Sequence, residues 1–190
     1  MSHNNVSQGA VAASRVGAPP RIGWTVRLHD GTPVLIRPID RQDADLELEF
    51  LNQLSPEMRH LRFLGLVREP CPDVARQLTD LDPSVAAGFI AVVSDEGRDR
   101  QIGAAHFHAD PSGQRCDCSV TVGDHWQKRG VGSLLMLQLI EAARVRGIRQ
   151  MRAFAPASSA GSRQLAERLG FQRRLDPRDP GAVVYHLKLA

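Results

Sequence analysis

Gln127-Lys128-Arg129-Gly130-Val131-Gly132-Ser133 sets a basic pair and two glycines directly ahead of the apolar run LLMLQLIEAA. Glycine at the start of a helix forfeits side-chain contacts and weakens the first turn by roughly 1 kcal/mol per residue relative to alanine. The compensation that suits this spacing is phosphate binding. A helix N-terminus carries unpaired N–H groups and the positive end of the dipole, and glycine lets an anion approach the backbone. The spacing is neither the dinucleotide fingerprint G-x-G-x-x-G nor a Walker loop, because no Gly-Lys-Ser/Thr closes the turn.

A second group of residues able to do chemistry is His106, His108, Cys116 and Cys118. If their two strands pair antiparallel across ADPSGQR, the i, i+2 spacing puts all four on one face, with His106 near Cys118 and His108 near Cys116. These are zinc-ligand types, but neighbours along one strand lie roughly 6.5–7 Å apart, too far for a tetrahedral ion. The expectation is that the site holds no metal.

The elements that must position these residues are readable in outline. Asp30-Gly31 between apolar stretches signals a hairpin. Asp40 opens a helix whose Ala44, Leu48 and Leu51 recur at helical spacing, Ser55-Pro56 opens a second, ended at Gly65, and CPDVARQLTDL is a third. AAGFIAVVSDEG, RQIGAAHFHADPSG and RCDCSVTVG form a strand meander. A long helix from about Gly130 to Arg146, the strand IRQMRAFA, a capped helix ending at Gly170 and two closing strands, FQRRLD and AVVYHLKLA, follow. Strands first, then alternating strand and helix, give an α+β domain with a mixed sheet. Residues 1–20, with one charged side chain and no period, read as a disordered tail, leaving 21–190 as a single domain.

Composition narrows the function classes. The chain has 190 residues and no apolar run of about 18, so no membrane span is expected, and its start lacks the pattern of a secretory signal. The expected location is cytoplasmic, with Cys71, Cys116 and Cys118 as reduced thiols. The net charge of +3 divides into +8 from Gln127 onward and −5 before it. A basic half can meet nucleic acid or a phosphate-rich ligand. With aromatics at 5% and none interleaved with the basic residues, no nucleic-acid partner is expected.

The order strand, Q/R-x-x-G-x-G/A loop, helix resembles the pyrophosphate loop of the GNAT acetyltransferase superfamily. DGTPVLIRPIDRQDADLELEFLNQLSPEMRHLRFLG resembles the opening of the acetyltransferase domain of bacterial protein-lysine acetyltransferases. CDCSVTVGDHWQKRGVGSLLM resembles its central strand, loop and helix, and LAERLGF its late helix and strand. The resemblance spans about residues 25–175. It implies a GNAT-like mixed, mostly antiparallel central sheet flanked by helices on both faces. It further implies an acetyl-CoA donor, its pantetheine paired with the backbone of Val120, Thr121 and Val122. Its pyrophosphate would lie on the N–H groups of Gln127, Lys128, Arg129, Gly130, Val131, Gly132 and Ser133, with Ser159 at the position of an asparagine in many relatives.

In such enzymes a central-strand glutamate is the general base, and the aligned residue here is Asp117. A frequent general-acid tyrosine is replaced by Ala166, while the sole tyrosine, Tyr185, falls on the last strand as a packing residue. The function implied is direct acetyl transfer to a primary amine in a ternary complex, with a protein lysine preferred as acceptor. A small-molecule amine and a non-catalytic acyl-CoA-binding regulatory module are the alternatives. Homodimerisation is compatible with the sequence and not readable from it.

Overall fold

Local signals set most element boundaries. Asp40 caps a 3-10 turn at Arg41–Asp43, accepting from Gln42 N at 2.7 Å, while Asp43 returns a bond to the Asp40 N–H. This capping box leads into α1, Ala44–Gln53. Ser55 caps α2, Pro56–Phe63, and Pro72 opens α3, Pro72–Thr79. The long amphipathic run becomes α4, Val131–Val145, stopped at Gly147, and Ser159 caps α5, Ala160–Arg168. The computed structural model describes residues 9–10, 23–63, 69–176 and 179–189. The expected stop at Gly65 lies outside them, as does most of the tail assigned to residues 1–20.

The strands are β1 (Gly9–Ala10), β2 (Trp24–Arg27), β3 (Pro33–Pro38), β4 (Ala86–Asp95), β5 (Arg98–Ala109), β6 (Arg115–Val122), β7 (Gln150–Pro156), β8 (Gln172–Asp176) and β9 (Asp179–Lys188). They form one sheet in the order β1-β2-β3-β4-β5-β6-β7-β9-β8. The pairings are antiparallel except β6 with β7, which needs a crossover, supplied by α4. Within the nominal tail, Gly9–Ala10 pairs with Trp24 and Thr25 at the sheet edge.

Helices cover both faces. On one, α4 buries Leu135, Met136, Leu139, Ile140 and Ala143 in a cluster with Phe107, Met151 and Val183, and α5 adds Ala166. On the other, α1 packs Phe50 and Leu51 against Ile90, Val92 and Ala104. This is the mixed, mostly antiparallel α+β architecture expected.

Two expectations need correction. The buried stripe of α1 is Asp43, Glu47, Phe50 and Leu51, while Ala44 and Leu48 are only half-buried. The helix is rotated because two acids find partners inside, Asp43 with Arg37 and Glu47 with Gln101. The pairing of β5 with β6 also runs one residue from the assumed register: His106 faces Ser119, His108 faces Asp117, and Phe107 and Ala109 face Cys118 and Cys116. A one-residue offset sends a side chain to the other side of the sheet. The two cysteines therefore lie with the α4 cluster and the histidines on the opposite face, so the four-residue group does not form.

Candidate active site

The parallel pairing of β6 with β7 lasts only from Arg115–Gln150 to Cys118–Ala153. Beyond it, β6 runs on to Val122 beside β5 and β7 runs on to Pro156 beside β9, and the two strands part. An unpaired strand edge has N–H and C=O groups free to bond an extended ligand. A cleft of about 830 Å³ occupies this opening, walled by α2, β6, β7, α4 and α5.

The turn before α4 forms one end of the cleft. Lys128 has φ +58° and Gly130 has φ +93°, two left-handed residues in three positions. For lysine that conformation costs on the order of 1 kcal/mol, and successive turns of this kind direct N–H groups into a shared concavity. Among the described residues, the amides of 128–133 donate no backbone hydrogen bond, and the first helical bond is Leu134 N to Gly130 O at 3.1 Å. The turn is anchored from behind. The Asp124 carboxylate accepts from Ser55 N at 2.9 Å and from Ser55 Oγ at 2.7 Å, tying the loop after β6 to the start of α2.

Of the residues expected to hold the donor, Val120, Thr121, Val122, Gln127, Lys128, Gly130, Gly132, Ser133 and Ser159 line the cleft. Arg129 and Val131 do not. The Arg129 guanidinium lies over the Trp126 ring, 4.3 Å from its centre, pairs with Asp30 of the first hairpin and donates to Thr32 Oγ1 at 3.2 Å. Val131 is buried in the core. Asp117 stands beside the last paired residues of β6, where its Oδ1 accepts from Arg152 Nε at 2.7 Å; both side chains are partly exposed and neither lines the cleft.

Tyr185 does more than pack: it is buried, in register with Ala153, and contributes to the cleft wall. Cys118 also lines the cleft, and burial pushes its thiol well above the usual range. A thiol held protonated is a poor nucleophile.

Three residues that sequence reasoning missed, Arg62 on α2 with Glu47 and Gln101 beneath it, group with His106, which the sequence offered only as a zinc-ligand type. Arg62 lines the cleft. Its Nη2 lies 3.5 Å from Nδ1 of His106, whose Nε2 is 3.1 Å from the Leu78 carbonyl. A carbonyl only accepts, so Nε2 carries the proton and Nδ1 offers its lone pair to Arg62. Burial above all, with the Arg62 charge second, lowers the His106 pKa to about 3. Gly88 makes the space for this ring, since a Cβ there would sit 2.7 Å from His106 Cδ2.

Deeper still, Glu47 is fully buried, takes a hydrogen bond from Gln101 Nε2, and leaves Oε1 without a partner among the described residues. Burial raises its pKa, and the charge of Arg62 counters part of that rise. The signal missed is the pair Asp43 and Glu47 at i, i+4, which looks like a solvated acidic turn until a buried partner is known.

A model of the acetyltransferase (GNAT) family matches residues 51–171. The chain belongs to that family and is a GNAT-type N-acetyltransferase; members use acetyl-CoA as donor and an amine as acceptor. It is 37% identical over 182 residues to Acetyltransferase PA5475 of Pseudomonas aeruginosa, covering 96% of this chain and 98% of that protein. With Acetyltransferase Pat of Mycolicibacterium smegmatis it shares 28% identity over 146 residues, 76% of this chain but 43% of Pat. In fold it is similar to the GNAT domain of S. lividans PAT, with a TM-score of 0.77 at 23% identity over 87% of this chain and 96% of that one. It also superposes on a cAMP-binding acyltransferase from Mycobacterium smegmatis, TM-score 0.60 at 22% identity, covering 88% of this chain and 47% of that one. Among the described residues no helix is long and apolar enough to cross a membrane.

Proposed function

We propose that this chain moves the acetyl group of acetyl-CoA directly to a primary amine, with the side chain of a protein lysine as acceptor. The observation that carries this is the parting of β6 from β7 above a turn whose amides at 128–133 are unspent. In this reading those amides and Lys128 hold the pyrophosphate, and the free edge of β6 at Val120 to Val122 pairs with the pantetheine. An N–H of that strand polarises the thioester carbonyl. The amine nitrogen attacks the carbonyl carbon, the C–S bond breaks, and the sulfur leaves with the electron pair and takes up a proton.

Asp117, at the end of the paired segment, receives the amine proton through a water. The Arg152 partner orients its carboxylate. The raised thiol of Cys118 supports direct transfer, because the cleft supplies no ionised cysteine to carry the acetyl group. The lysine acceptor follows the resemblance to bacterial protein-lysine acetyltransferases.

Release of coenzyme A from a panel of lysine peptides and small amines tests the reading. Asp117→Asn should lower kcat about 100-fold, the low end for a lost general base, while calorimetry shows acetyl-CoA affinity unchanged. Wild-type turnover retained in Asp117→Asn removes Asp117 from the mechanism. Tight acetyl-CoA binding with no turnover of any amine would make the chain an acyl-CoA-binding module.

A further inference from the structure

Arg62 has donors to spare. Its guanidinium carries five N–H groups, and among the described residues its polar contact is the 3.5 Å approach to His106. No ion pair within 4 Å joins it to a carboxylate among those residues, and none of its nitrogens is a sealed, unpartnered atom. The unspent donors therefore open on the cleft that Arg62 lines.

Burial lowers the Arg62 pKa, and the field of Glu47 opposes that fall. Glu47, buried beneath with Oε1 unpartnered, supplies an attractive field without consuming a donor, and His106, neutral, offers only a lone pair. Burying an arginine is costly, and Glu47, which makes no hydrogen bond or ion pair to it among the described residues, offsets only part of that cost, which favours an anion at the unspent donors.

The position says which anion. Phosphates of the donor belong at the turn before α4, where Gly132 faces Leu165 of α5. Arg62 stands on the other face of the sheet, beside His106, which is in register with Ser119 just past the point where β6 and β7 part. An anion there is carried by the second substrate. The neighbouring open face adds Arg152 and Arg174, whose charges both act on His186.

We infer that Arg62 is a specificity-determining residue that binds a carboxylate carried by the acceptor close to its amine. The inference deepens the proposed function and rests on acceptors entering from the α2 side. The carboxylate could be the acceptor's own terminal group or an acidic side chain flanking a lysine.

Four acceptors separate these sources: Nα-acetyl-lysine against Nα-acetyl-lysinamide, and an amidated Lys-Asp peptide against its Lys-Asn counterpart. For the wild type, kcat/KM should favour the carboxylate member of at least one pair tenfold or more, and the favoured pair names the source. Arg62→Met should abolish that preference while acetyl-CoA affinity stays unchanged, and Arg62→Lys should keep part of it. The Glu47→Gln/Arg62→Met double variant serves if the single change fails to fold.

Equal rates on both members of both pairs in the wild type overturn the inference. So does an Arg62→Met that slows carboxylate and amide acceptors alike, since the arginine would then act at the reacting carbonyl. Calorimetry of the same acceptors with coenzyme A-saturated protein keeps the two readings apart. Arg62-dependent binding of the carboxylate acceptors without turnover supports the subsite and removes the catalytic proposal.

Discussion

His106 is neutral because it must be. Its ring fills the space over Gly88, donates to Leu78 and faces a guanidinium, so a second proton would be buried beside a positive charge. Its pKa falls from 6.5 to about 3 in the folded chain. The unfolded chain therefore binds the extra proton first, and the stability this ring contributes is complete above pH 6.5 and lost as pH falls towards 3. By pH 5 the loss amounts to about 2 kcal/mol. Urea unfolding from pH 7.5 to 4.5 should show that decline, and His106→Gln should flatten it. Asp117 was singled out by the family resemblance, as the residue aligned with a central-strand glutamate, and not by spacing. The group of Arg62, Glu47, Gln101 and His106 was not legible, because its members come from α1, α2 and β5 and no local period links them.

Element starts were the most legible features, since capping is local chemistry: Asp40, Ser55, Pro72 and Ser159 all open helices as their residue types require. Strand register was less so. HFH and CDC alternate perfectly, yet whether histidine meets cysteine depends on the turn at 110–114, and the actual pairing is offset by one. The two glycines of the α4 turn separate folding from binding. Gly130 has φ +93°, so Gly130→Ala is strained by about 1 kcal/mol. Gly132 lies within the helix, and a Cβ there meets Leu165 at 3.4 Å and Val122 at 3.5 Å, ordinary contacts. Gly132→Ala should gain up to about 1 kcal/mol of stability in a thermal melt. Calorimetry of the same variant should show weaker acetyl-CoA binding, because Gly132 lines the cleft where the phosphates are proposed to sit.

At the scale of the molecule, the buried ion pair between Arg37 and Asp43 joins the first hairpin to the helical layer, with both side chains at 2% exposure and bonds of 2.7 and 2.8 Å. Asp43→Ala would strand a guanidinium in the core and should cost about 3–5 kcal/mol in denaturant unfolding. Arg37→Met/Asp43→Leu should recover most of it. The fold class was readable from the order of strands and helices. The division of charge along the chain was readable only as a sum, since the basic C-terminal part reaches the cleft at Lys128 and Arg168 and spends Arg152 on Asp117.

Among the described residues, the strand pairing that joins the first six strands to the last three is four residue pairs long. The sheet is thus two lobes sharing a short seam, bridged on one side by α4, and the gap above the seam is where a long flexible molecule would lie. Such a guest would act as a missing strand, lacing the lobes together along a line the polypeptide leaves unsewn. Rigidity of the whole would then be borrowed from the donor and surrendered when the spent carrier departs.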